Sequence, residues 1–222
     1  MKRSGSLAGV IGIFGGTFDP VHIGHLRTAY ELRIRLGLDR VHFIPAAVPP
    51  HRSQPAAAPG LRVAMLEAAL ADDPYAVVDP RELERAGPSW TIDTAESLRA
   101  EFPDHALCLL LGMDAFLGLA SWRDWERLLT LVNIVVARRP GARLSPVASL
   151  GLLLAERCVD AASSVWQTAG QILVQDVTQL EVSATDLRAS IRAGIEPRFL
   201  VPDAVRHIID TSGCYAAENE SP

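Results

Sequence analysis

The 222-residue chain predicts an α/β fold: a doubly wound parallel sheet with helices on both faces. Three observations carry that prediction. Short apolar runs alternate with helical periodicities along the whole chain, the runs stop at glycine or proline, and the residues best suited to chemistry follow directly after them. Strands that are apolar throughout belong to a sheet covered on both sides.

The first such run, Val10-Ile11-Gly12-Ile13-Phe14, ends at Gly15-Gly16, as a buried strand ends in a tight turn. Leu26, Ala29, Tyr30, Ile34 and Leu36 then recur at near-helical spacing, and Gly37 suits the helix C-terminus. A second strand, Val41-His42-Phe43-Ile44-Pro45, leads into Ala46-Ala47-Val48-Pro49-Pro50-His51-Arg52, where the prolines forbid regular structure and predict a long loop. A helix over 61–71, a strand over 75–78 and a helix over 91–101 follow. Ala106-Leu107-Cys108-Leu109-Leu110-Leu111 is a strand ending at Gly112-Met113-Asp114, and Trp122, Trp125, Leu128 and Leu129 trace a helical face. The most hydrophobic strand candidate is 131–137. Beyond Pro140-Gly141 come a helix over 149–157, a strand over 172–174 and helices over 184–193 and 202–210. With no repeat, low-complexity tract or composition shift, residues 8–216 read as one domain, and 1–7 and 217–222 as flexible ends.

Composition narrows the function. The chain is 49% hydrophobic with a net charge of -5, and no stretch gathers five basic residues, so a nucleic-acid backbone is disfavoured as a partner. Cys108, Cys158 and Cys214 lie far apart without a C-x-x-C pair, which fits a reducing, cytoplasmic setting. The amino terminus lacks a cleavage site of signal-peptide type, and the longest uncharged runs, such as 161–175, fall short of the roughly 18–20 apolar residues of a membrane span. Lys2 is the only lysine, so a bound phosphate must be gripped by arginine, histidine or backbone N–H.

In open α/β sheets the ligand sits beyond the carboxyl ends of the strands. Gly15-Gly16-Thr17, His51-Arg52, Gly112-Met113-Asp114 and Arg138-Arg139 all fall there. Gly15-Gly16-Thr17-Phe18-Asp19-Pro20-Val21-His22-Ile23-Gly24-His25 is the most informative stretch. Paired glycines let backbone N–H groups approach an anion, and the helix that follows aims its positive end at the same place. His22 and His25, three apart, can turn both rings into one pocket and donate to phosphate oxygens; Gly24 leaves room for a flat base. A tight turn and surface histidines account for each feature singly but not for their order. G-x-G-x-x-G and a P-loop are both absent, which disfavours a dehydrogenase and a Walker-type ATPase. Ser183 with Asp186 is a capping-box-like helix start, which leaves Thr185 and Arg188 free to meet phosphate.

This pattern resembles the signature of the nucleotidyltransferase superfamily that shares its Rossmann-like core with class I aminoacyl-tRNA synthetases. Within it, the bacterial nicotinate-mononucleotide adenylyltransferases are most similar, through the first motif and through Val48-Pro49-Pro50-His51-Arg52, Pro88-Ser89-Trp90-Thr91, Gly112-Met113-Asp114, Ser121-Trp122, Ala137-Arg138-Arg139-Pro140 and 182–188. The resemblance implies adenylyl transfer from ATP to nicotinate mononucleotide with release of pyrophosphate. His22 and His25 would be catalytic. Gly15, Gly16, Thr17, Phe18, Gly24, Gly112, Asp114, Ser183, Thr185 and Arg188 would hold ATP, Asp114 through a ribose hydroxyl. His51, Arg52, Thr91, Trp122 and Arg138 would meet the mononucleotide, Trp122 by stacking on its ring. No metal ligands are implied; Mg2+ would arrive with ATP. Two departures stand out: His51-Arg52 replaces the commoner His-Lys, and Arg123 stands where an aromatic residue often follows the tryptophan. Another phosphate acceptor, nicotinamide mononucleotide or phosphopantetheine, and a non-catalytic adenine-nucleotide-binding module stay open as alternatives.

Overall fold

The computed structural model describes residues 2–3, 7–47, 54–139, 148–160, 165–178 and 180–216. Its strands are β1 (Lys2–Arg3), β2 (Gly9–Gly16), β3 (Arg40–Pro45), β4 (Ala76–Val78), β5 (His105–Gly112), β6 (Asn133–Arg138), β7 (Cys158–Val159), β8 (Val165–Trp166) and β9 (Ile172–Asp176). Its helices are α1 (Ile23–Leu36), α2 (Pro59–Leu70), α3 (Arg81–Glu84), α4 (Thr91–Glu101), α5 (Met113–Leu117), α6 (Trp125–Leu131), α7 (Ala148–Arg157), α8 (Ala184–Arg192) and α9 (Asp203–Ser212). A 3-10 turn, Leu119–Ser121, joins α5 to the segment before α6.

Seven strands form one sheet in the order β4-β3-β2-β5-β6-β9-β7, and every pairing is parallel. Because side chains alternate along a strand, each strand feeds two cores. Val10, Val41, Phe43, Cys108, Leu110 and Val135 pack on α1, α2, α8 and α9. Their neighbours Ile11, Ile13, Leu107, Leu109, Ile134 and Val136 pack on α4, α5 and α6. The predicted doubly wound architecture is therefore present, with helices on both faces.

The chain enters this sheet near its middle, at β2. It runs outward from β2 through β3 to β4, then returns past β2 to begin β5 on the other side. The loop after β2 leads to α1 on one face and the loop after β5 to α5 on the opposite face, so the two loops part at the β2/β5 junction. That is the topological switch point, where open α/β sheets leave a crevice.

Differences from the sequence reading are local. Leu131 ends α6 instead of starting a strand, because an apolar run by itself cannot separate a helix end from a strand beginning. Trp122 lies outside α6, at the end of the 3-10 turn. Lys2–Arg3, inside the stretch expected as a flexible end, pairs in parallel with Val165–Trp166. Strands of two residues carry too little pattern to be read from sequence. Positions 217–222 of the expected flexible ends, and 48–53 of the proline-rich loop, lie outside the described residues. Among the described residues no helix is long and apolar enough to cross a membrane.

Candidate active site

At the switch point the β2–α1 turn is fixed from several directions. Phe18 holds a left-handed backbone (φ 49°) with its ring buried among Phe14, Phe43 and His25. Arg62, 1% exposed on α2, donates to the Thr17 carbonyl (2.7 Å) and the Ala46 carbonyl (2.9 Å), tying the turn after β2 to the loop after β3. Asp19, 3% exposed, accepts from the Ala56 and Ala57 amides (2.7 and 3.0 Å) and from the Tyr215 hydroxyl (2.7 Å). Its main-chain oxygen accepts from Arg188 Nη1 at 2.6 Å.

His22 is the N-cap residue of α1, and its amide donates to His25 Nδ1 at 3.3 Å. An imidazole nitrogen that accepts a hydrogen bond carries no proton, so neutral His25 carries its hydrogen on Nε2 and can donate there. The two rings stack at 3.7 Å between centroids with 28° between planes. Burial pushes His22 down from 6.5 to about 4. Burial, with repulsion from His22, pushes His25 to about 3. The pair is thus neutral at pH 7, and His22 Nδ1 is buried without a hydrogen-bond partner. A Cβ at position 24 would crowd His22 Nδ1 at 3.0 Å, so the glycine leaves room for the stacked imidazole, and it also lines the larger cleft.

Two clefts meet at this pair. One, about 420 Å³, is walled by Gly16, Thr17, Phe18, Thr185 and Arg188 together with both histidines. The other, about 600 Å³, is walled by Gly15, Gly24, Gly112, Asp114 and Ser183, again with both histidines. All twelve residues expected to be catalytic or to hold ATP line one cleft or the other. Ser183 caps α8 as read, accepting from the Asp186 amide, and Arg188 Nη2 points at Thr185 Oγ1 at 3.4 Å.

The residues expected on the acceptor side are arranged differently. Thr91 opens α4 and Trp122 follows the 3-10 turn; both are half-buried, and neither is in the walls of these two clefts. Arg138 turns to Asp176 on β9, donating from Nε at 2.6 Å, while its neighbour Arg139 enters the larger cleft wall and pairs with Glu181. The Arg123 guanidinium lies 5.7 Å from the centroid of Trp90. His51 and Arg52 lie outside the described residues. Among the described residues no group of three or more His, Cys, Asp or Glu could hold a metal ion.

Sequence reasoning missed Arg62 and Tyr215, gave Asp19 no role of its own, and placed Arg139 at a strand end without assigning it a contact. Tyr215 and Arg62 carry no local signal, because their partners lie 196 and 45 residues away in the chain. A buried arginine is recognised only by what surrounds it.

The cytidylyltransferase-like family model matches residues 13–190. A protein of Pseudomonas aeruginosa (strain UCBPP-PA14) named "Probable nicotinate-nucleotide adenylyltransferase" is 49% identical over 208 residues, covering 93% of this chain and 97% of its own. One of Methylococcus capsulatus with the same name is 46% identical over 209 residues, covering 93% of this chain and 100% of its own. Among solved structures, the nicotinic acid mononucleotide adenylyltransferase of Plasmodium falciparum complexed with NaAD has a similar fold. Its TM-score is 0.71 at 14% identity, covering 93% of this chain and 97% of that one.

Proposed function

The chain belongs to the cytidylyltransferase-like family, and from that membership and the site we infer that it transfers the adenylyl group of ATP to nicotinate mononucleotide. One observation carries the reading: two clefts converge on a single pair of neutral, stacked imidazoles at the switch point of the sheet. Two phosphorylated substrates approaching from the two clefts would bring their phosphates together over His22 and His25. The names of the relatives, at 46–49% identity over nearly the whole chain, supply the acceptor.

The reaction is an in-line displacement. An oxygen of the mononucleotide phosphate forms a bond to the α-phosphorus of ATP, the bond from that phosphorus to the bridging oxygen breaks, and pyrophosphate leaves with the electron pair. The attacking phosphate is already ionised at neutral pH, so no general base is needed, and catalysis consists of alignment and charge stabilisation. His25 Nε2–H donates to a non-bridging oxygen of the transferring phosphoryl group. A neutral imidazole suits this role, since it provides a hydrogen bond that strengthens as charge develops. His22 Nδ1, buried without a partner, acquires one from the same group. Gly15, Gly16, Thr17 and the N-terminus of α1 supply backbone N–H, while Thr185 and Arg188 take the leaving phosphates. Asp114 meets a ribose hydroxyl of ATP, with Phe18, Gly24, Gly112 and Ser183 shaping the walls around the nucleotide. Mg2+ would come with the triphosphate as part of the substrate and, when bound, would supply neutralisation of phosphate charge.

Thr91 and Trp122 receive the pyridine ring, and His51, Arg52 and Arg138 its phosphate side. Residues 8–216 form the single catalytic domain, a boundary supported by Tyr215, which reaches back to Asp19. Three free thiols suit a cytoplasmic setting.

Pyrophosphate release, measured with ATP, Mg2+ and each candidate acceptor in turn, tests the reading. Nicotinate mononucleotide should support release and yield the dinucleotide by mass spectrometry. Faster release with phosphopantetheine or nicotinamide mononucleotide would reassign the acceptor, and ATP binding without release under any of them would make the protein a binding module.

A further inference from the structure

Asp19 is buried beside a cleft that takes a triphosphate under the reading above, on which this inference builds. A carboxylate is an unexpected neighbour for that ligand, because Coulomb repulsion alone would weaken binding. Its bonds explain its presence. The side chain closes three contacts at once, with the amides of Ala56 and Ala57 and the hydroxyl of Tyr215. Ala56 and Ala57 directly follow Gln54 and Pro55, which form one wall of the smaller cleft. The main-chain oxygen of the same residue takes Arg188 Nη1, with Oδ2 a further 3.7 Å contact to that nitrogen, and Arg188 forms the facing wall. Tyr215 is itself buried, so its hydroxyl has been withdrawn from water and depends on Asp19 for a partner.

We propose that Asp19 is a positioning residue for the triphosphate cleft, with Tyr215 as its donor: the pair clamps the 54–57 segment and the Arg188 guanidinium into the geometry that binds ATP phosphates. With Nη1 committed to the Asp19 carbonyl, Arg188 has its remaining N–H groups directed at Thr185 and the cleft, so its fork is set before ligand arrives. The C-terminal segment thereby becomes part of the nucleotide site, although it lies far outside every sequence motif of that site. An asparagine at position 19 cannot substitute. Its amide offers an acceptor on one side only, whereas N–H and O–H donors approach both carboxylate oxygens.

The clamp and simple electrostatics predict opposite signs, which makes a test decisive. Affinity for α,β-methylene-ATP with Mg2+ is measured by titration calorimetry for the full-length protein, for Tyr215→Phe, for Asp19→Asn, and for each of these changes combined with Arg188→Ala. Tyr215→Phe, which removes one hydroxyl and leaves the ring, should weaken binding about 3- to 10-fold, and Asp19→Asn roughly 10- to 100-fold. In the Arg188→Ala background, each change should lose the share of its effect carried by the guanidinium and keep only the smaller share carried by the 54–57 wall. Tighter binding in Asp19→Asn, unchanged binding in Tyr215→Phe, or losses that persist in full without Arg188 would each overturn the clamp. Because the readout is binding, a protein that shows this pattern yet forms no dinucleotide refutes the assigned reaction and leaves the clamp standing. Dinucleotide formation without the pattern does the reverse.

Discussion

The two halves of the site are built to different standards. Around the two clefts, the turn after β2 is held by the buried side chains of Phe18, Asp19 and Arg62, and the imidazole pair is stacked beside a glycine where a Cβ would crowd His22. On the expected acceptor side, Thr91 and Trp122 are half-buried, Arg123 is largely exposed above Trp90, and Arg138 is engaged by Asp176. The difference follows from chemistry. Stabilising charge on a transferring phosphoryl group demands donors fixed in advance, whereas recognising one ring over another needs a few contacts at a more open edge.

The largest expected effect tests the rigid half. His25→Ala should cost about 2–4 kcal/mol of transition-state stabilisation, roughly thirty- to thousandfold in kcat, with the melting temperature little changed. An unchanged kcat would remove the imidazole from the reaction and with it the contrast between the halves. Next, Arg62→Met leaves the Thr17 and Ala46 carbonyls without their donor. It should lower unfolding free energy by roughly 2–3 kcal/mol in urea titration. A loss below about 0.5 kcal/mol would show that the turn is held without it.

Acidification separates the halves by pH window. Both imidazoles bind protons more weakly in the folded chain than in the unfolded one. Their contribution is therefore complete above the unfolded value of 6.5 and drains as pH falls toward about 4 for His22 and about 3 for His25. Between pH 7 and 5 the loss should be on the order of 2 kcal/mol per imidazole, removed in a His22→Asn, His25→Asn double variant. Glu31, held near 2 although burial opposes its charge, is stabilised by the Thr178 amide and by Arg27; its contribution is complete above 4.5 and is lost only as pH falls from 4.5 toward 2, so it does not confuse that window. A flat stability profile from pH 7 to 5 would contradict the buried neutral pair. The smallest effect belongs to the open half: Trp122→Ala should raise KM for nicotinate mononucleotide by roughly tenfold and KM for ATP by less than about twofold. Equal increases for both substrates would merge the two halves into one.

What could be read in advance divides along the same line. Paired glycines, two histidines three apart and a capped helix start are local features, and they mark the residues that line both clefts. Their geometry is local too: Gly24 lies between His22 and His25, so the stack is written within four positions. Trp122 and Arg138 were legible as family positions, but their orientation was not. Whether an arginine at a strand end faces a cleft or pairs with the next strand depends on which strand lies beside it. For Arg138 that neighbour is β9, whose Asp176 takes it, leaving Arg139 in the cleft wall.

By itself, then, the sequence determined the doubly wound sheet and the residues that line the two clefts, since both follow from periodicity and from contacts within one turn of chain. Only the tertiary structure decided that the chain enters the large sheet near its centre, so that β2 and β5 become neighbours and open a crevice between their loops. It alone decided that Tyr215 and Arg188 come to Asp19, and Arg62 to Thr17. Hydrogen bonds between residues 45 to 196 positions apart exist only after two cores have closed around them, and no pattern short enough to read along the chain can encode them.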